Sequence, residues 1–80
     1  MHEAKLCLSL IRLAVAQLEE PRADRILSIR LEVGALSGVV PEALQGVFPI
    51  CAAGTPAEGA ALQFERCAGR ELRLRDIEVV

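Results

Sequence analysis

The amino-acid sequence predicts an α+β fold, with two helices packed on one face of a three-stranded sheet in the order α-β-α-β-β. Three observations carry this. Two segments repeat apolar residues at helical spacing. Three others alternate apolar and polar residues at period two. The length, 80 residues, is that of one domain, which buries only about 60–65% of its unfolded surface. Elements this short must share a single core between one layer of helix and one of sheet.

Residues 3–20 read as the first helix. Leu6, Leu10 and Leu13 form one apolar stripe, and Cys7, Ile11, Val15 and Leu18 the stripe beside it. Lys5, Ser9, Arg12, Ala16, Glu19 and Glu20 fall on the polar face, and Pro21 ends the helix. Residues 25–33 read as a strand. Leu27, Ile29, Leu31 and Val33 point one way, while Ser28, Arg30 and Glu32 point the other. Gly34 to Gly38 form a loop.

Pro41 suits the first turn of a second helix, with Glu42 near its positive end. Leu44, Val47, Phe48 and Cys51 give this helix its apolar stripe. Pro49 lacks an N–H and is expected to kink the last turns. Gly54 is a natural C-cap, and Pro56 follows. Residues 60–66 form the second strand, on the alternation of Leu62 and Phe64 with Gln63 and Glu65. A tight turn at 67–70 leads to the third strand, 71–79. Leu72 and Leu74 share one phase there, and Ile77 and Val79 the other, so a bulge is expected near Arg75 and Asp76. The short turn predicts that the last two strands pair as an antiparallel hairpin.

Composition narrows the function. Hydrophobic residues make up 52%, with no Trp or Tyr and only Phe48 and Phe64, so aliphatic side chains build the core. Nine Lys and Arg against eleven Asp and Glu give a net charge of −2. That balance argues against nucleic-acid binding, which wants a basic surface and stacking aromatics. The apolar runs are too short to span a membrane. No basic-then-apolar leader begins the chain, so the cytoplasm is the expected compartment. Cys7, Cys51 and Cys67 form no C-x-x-C pair, which argues against a disulfide framework and against a self-contained zinc site.

The motifs of phosphate-binding loops, dinucleotide folds, serine hydrolases and zinc proteases are absent. The carboxylates fall mostly on solvent faces, and Asp76 sits where a bulge needs capping. Cys7 and Cys51 lie in apolar helix stripes and read as small hydrophobes. Cys67 reads as an exposed turn thiol. His2 is the sole histidine. A histidine near a chain end is usually solvated surface, but its neighbours here raise a second reading. A bulky residue at position 2 generally keeps the initiator Met in place. The Met1 amine, with a pKa near 8, would then stand beside the His2 imidazole and the amide nitrogens of His2 and Glu3. Four nitrogens of this kind suit square-planar Ni(II) or Cu(II) better than Zn(II).

The chain resembles the HypA family of nickel metallochaperones, which serve [NiFe]-hydrogenase and sometimes urease. The resemblance is carried by Met1-His2-Glu3, by Ile29 to Gly38, and by Pro41-Glu42-Ala43-Leu44. Gly54-Thr55, Ala57 to Ala60, and Gly69 to Val79 extend it over nearly the whole chain. It implies Ni(II) binding by His2, the Met1 amine and the Glu3 backbone nitrogen, with the Glu3 side chain tuning the site. It also implies delivery of nickel, without enzymatic activity, to the GTPase HypB and the hydrogenase large subunit. Typical members insert a zinc domain with two C-x-x-C pairs before the last strand. Here only Cys67-Ala68-Gly69 joins Arg66 to Arg70, so residues 1–80 are expected to form a single nickel-binding domain without structural zinc. Val40 and Pro49 are smaller departures. The alternative reading is a metal-free docking module, or degenerate paralogue, for the same GTPase. Exposed sheet edges leave homodimerisation open.

Overall fold

The computed structural model describes residues 2–18 and 25–80, with His2 described by its backbone alone. The elements are helix α1 (His2–Ala16), strand β1 (Ile26–Gly34), helix α2 (Pro41–Ala52), strand β2 (Ala61–Cys67) and strand β3 (Leu72–Val79). The α+β class is as expected.

The sheet order is β2-β1-β3. Strand β1 runs parallel to β2 and antiparallel to β3. The expected hairpin between the last two strands is therefore wrong: β2 and β3 flank β1 on opposite sides. The reason lies in α2. A helix between two strands is a crossover, and a crossover returns the chain parallel to where it began. The most aliphatic strand then takes the centre, with Ile26, Ile29, Leu31 and Val33 all buried.

After β2, the 68–71 connection must pass over the end of β1, and backbone hydrogen bonds hold it there. Gly34 N–H donates to Glu71 O at 2.8 Å, Ala35 N–H to Cys67 O at 2.8 Å, and Leu36 N–H to Gly69 O at 2.7 Å. Gly69, at φ 101°, makes the bend in a backbone region that glycine enters freely.

Both bulges sit on the β1–β3 ladder. Arg30 pairs with Asp76 and Leu31 with Leu74, so Arg75 is the extra residue, where the phase change placed it. A second irregularity corrects the reading of β1. Ile26 pairs with Val79 and Ser28 with Glu78, leaving Leu27 unpaired. Ile26 consequently enters the core and Leu27 turns outward, 45% exposed.

The core is one cluster: Cys7, Leu10, Ile11 and Ala14 of α1, Leu44, Phe48 and Ala52 of α2, Ala57, and the inward residues of β1 and β2. Both helices cover the same sheet face. Each fully buried Leu or Ile contributes about 1.5–3 kcal/mol. On α1 the expected stripe shifts, because Leu13 is 53% exposed while Ala14 is buried. Leucines lie nearly all round this helix, and packing against α2 selects which ones are covered. Helix α1 tightens at its end through i→i−3 bonds from Gln17 and Leu18 to Ala14 and Val15. The expected continuation over 19–20 and the stop at Pro21 lie outside the described residues.

Helix α2 begins at Pro41 as predicted and runs through Pro49 to Ala52. Pro49 lies on its exposed side, as does Gln45, whose carbonyl loses its helical donor there and can turn to solvent.

The opposite sheet face is an ionic lattice. Glu32 accepts from Arg73 at 2.7 Å and from Arg75 at 3.2 Å. Arg75 also donates to Glu65 at 2.7 Å. Arg30 lies 3.5 Å from Glu65 and 3.2 Å from Asp76, the latter an ion pair without hydrogen-bond alignment. This lattice engages Glu32, Glu65 and Asp76, three of the chain's eleven carboxylates.

Candidate functional site

The sequence directs attention to Met1, His2 and Glu3. Met1 and the His2 side chain lie outside what the structure describes; Glu3 and the elements around it are described.

Helix α1 begins at His2 and carries Glu3 in its first turn. A helix leaves its first N–H groups without acceptors one turn earlier, so the amides of His2 and Glu3 have no intrahelical partner. The partial positive charge of the helix start favours the Glu3 carboxylate there. Glu3 is half-buried.

A surface hollow adjoins this turn. Glu3, Lys5 and Leu6 line one wall, and Ser37, Gly38, Val39 and Val40 the other. The second wall is the loop between β1 and α2. Its shape comes from Gly38 at φ 78° and from Val39 N–H donating to Ser37 Oγ at 3.2 Å. The same loop is tied through Ala35 and Leu36 to the 68–71 connection. The start of α1, the β1–α2 loop and the β2–β3 connection thus gather at one end of the sheet. Residue-by-residue reasoning did not associate 37–40 with Glu3, although Gly38 and Pro41 had marked a loop-to-helix junction.

Among the described residues, no three His, Cys, Asp or Glu side chains cluster closely enough to hold a metal. Asp76 belongs to the ionic lattice beside the bulge. Cys67 is half-buried rather than exposed, because it is the last residue of β2 and pairs with Gly34.

Cys7 is buried as expected, and Cys51 is half-buried. The burial of Cys7, reinforced by the Cys51 thiol beside it, pushes its pKa up to about 11. It therefore stays a neutral thiol at neutral pH. Glu32 behaves oppositely. The hydrogen bond from Arg73, assisted by the charges of Arg73 and Arg75, holds its carboxyl below the usual range. Neither group has the poised pKa of a general acid or base. No described helix is long and apolar enough to cross a membrane.

Comparison with known proteins bears on the whole of this picture. Residues 1–72 match the family model described as hydrogenase/urease nickel incorporation, metallochaperone, hypA. A hydrogenase maturation factor HypA from Deinococcus radiodurans is 49% identical over 69 residues, covering 86% of this chain and 58% of the relative. The factor of the same name from Geobacter sulfurreducens is 44% identical over 70 residues, covering 88% and 61%. That from Chlorobium limicola is 43% identical over 68 residues, covering 85% and 59%. The matched region spans about three fifths of the length of these curated relatives.

Proposed function

The chain belongs to the HypA family, and from that premise we propose that it carries Ni(II) for the maturation of [NiFe]-hydrogenase, as a metallochaperone and not as an enzyme. Nickel is its cargo. The ligands are the His2 imidazole, the Met1 amine and the Glu3 backbone nitrogen, with the Glu3 carboxylate orienting or tuning the site.

The observation that supports this most directly is the start of α1 at His2. Amides in a first helical turn give up no helical hydrogen bond when they turn to a metal. Nitrogen donors at adjacent backbone positions form small chelate rings, and with the His2 amide nitrogen added to these three the set of four suits the square-planar preference of Ni(II). Protons compete for the amine and the imidazole, so affinity falls as pH drops through their pKa values.

In this reading nickel passes to the GTPase HypB and then to the hydrogenase large subunit, in the cytoplasm. The hollow between Glu3 and Val40 adjoins the proposed site and is open to a receiving partner. This reading assigns no structural zinc to residues 1–80, in which β2 reaches β3 through residues 68–71 and Cys67 is a single thiol at that connection. Residues 1–80 act as one nickel-binding domain.

The test is a Ni(II) titration followed by the visible band of a square-planar complex. The parent binds one equivalent. His2→Ala loses the band, and a short peptide extension before Met1 weakens it. Undiminished binding by His2→Ala would place nickel elsewhere. A chain that binds no nickel yet retains the GTPase in a pull-down would instead be a docking module.

A further inference from the structure

Cys7 and Cys51 meet in the seam between α1 and α2. Both are free thiols. The buried Cys7 donates across the seam to Leu44 O at 4.0 Å. The half-buried Cys51 donates back to Ala4 O at 3.9 Å. Each sulfur thus reaches the backbone of the other's helix, and Ala4 lies one turn before Cys7 on α1. The influence of Cys51 on the Cys7 thiol has the same origin. Cys67 stands apart at the end of β2, opposite Gly34. In this seam the two thiols pack as small hydrophobes. Two thiols from different helices in one seam can also form a bond.

We propose that Cys7 and Cys51 are a redox-modification site, in which a low-molecular-weight disulfide of the glutathione class converts them to a disulfide that fixes α1 to α2. Cys51, the more accessible of the two, attacks first. Its thiolate bonds to one sulfur of the small disulfide, the small S–S bond breaks, and one small thiolate leaves. Cys7 then gives its proton to solvent, and its thiolate attacks Cys51 Sγ. The intramolecular bond forms and the second small thiolate is expelled. Two protein thiols are oxidised by two electrons, and one small disulfide is reduced to two thiols.

Burial of Cys7 makes the second step slow at neutral pH and faster in base. Under reducing conditions the pair stays open and serves as core packing. Under oxidising conditions it pins the helix that begins at His2. The inference does not depend on nickel binding.

The experiment uses the full chain carrying Cys67→Ser, incubated with oxidised glutathione. Intact mass is expected to fall by two hydrogens, with no thiol left to react with a maleimide after denaturation. The product stays monomeric, and its Tm rises by about 5 °C or more, reversibly with dithiothreitol. Adding Cys7→Ala is expected to trap the first step as a glutathione adduct on Cys51. Adding Cys51→Ala is expected to leave Cys7 unmodified while the protein is folded. A stable glutathione adduct in the chain that keeps both Cys7 and Cys51 would overturn the proposal. So would a disulfide-linked dimer, or an intramolecular bond that lowers Tm.

Discussion

Gly34 lies directly beneath the Gly69 carbonyl. A Cβ at position 34 would stand 2.5 Å from Gly69 O and 2.9 Å from Glu71 N. Gly34 has no positive φ, so the requirement is for space and not for backbone freedom. The space is needed because the β2–β3 connection crosses the end of the central strand at this point.

Gly34→Ala should therefore destabilise the fold by about 2–3 kcal/mol or more, since both neighbours are backbone atoms that cannot swing aside. Urea unfolding measures this. Gly46→Ala is the control: nothing lies within 4 Å of a Cβ there, and a helical Gly→Ala change is expected to stabilise by about 0.5–1 kcal/mol.

Leu44 of α2 is wholly buried between α1 and the sheet, whereas Ile50 on the same helix is 78% exposed. Leu44→Ala should cost about 2–5 kcal/mol, through lost burial and the cavity left behind. Ile50→Ala should change stability by no more than about 0.5 kcal/mol. Similar losses at both positions would mean that α2 packs through a different face.

Alkaline pH should weaken the fold through Cys7. Its pKa rises from 9.0 to about 11 on folding, so between these values the unfolded chain has lost a proton that the folded chain keeps. The stabilisation is complete below pH 9 and is lost as pH climbs from 9 towards 11. By the upper limit it amounts to roughly 2–3 kcal/mol. Cys7→Ala should flatten this limb of the pH–stability curve.

Glu32 acts at the other end of the scale. Its carboxyl pKa is lowered from 4.5 by Arg73 first and Arg75 second, so its contribution is present above 4.5 and is lost as pH falls through the lower folded value. Glu32→Gln should remove part of the acid limb. The charged face is open to solvent, so 1 M salt should blunt the difference between parent and variant.

Much of this was legible in the chain. The Pro41 helix start, the strands at 60–66 and 71–79, and the Arg75 bulge follow from spacings that depend on near neighbours alone. The burial of Cys7, Leu44 and Phe48 follows from helical stripes. The errors share one cause. Leu27 and Leu13 are as apolar as the residues that displaced them, so local pattern cannot say which faces inward. The pairing of β2 with β1, instead of with β3, depends on where α2 returns the chain. At the candidate site, Glu3 was evident as part of Met1-His2-Glu3, but its closeness to Ser37–Val40 is a long-range contact that no local spacing records.

Local patterning sets the number and kind of elements and the single aliphatic core, and the family resemblance names nickel as the metal to test. The central place of β1, the need for glycine at position 34 and the seam shared by Cys7 and Cys51 come from long-range packing. The division follows the range of the forces. Periodicity and caps act within a turn or a pleat, whereas strand order and close approach arise when distant segments compete for one small core.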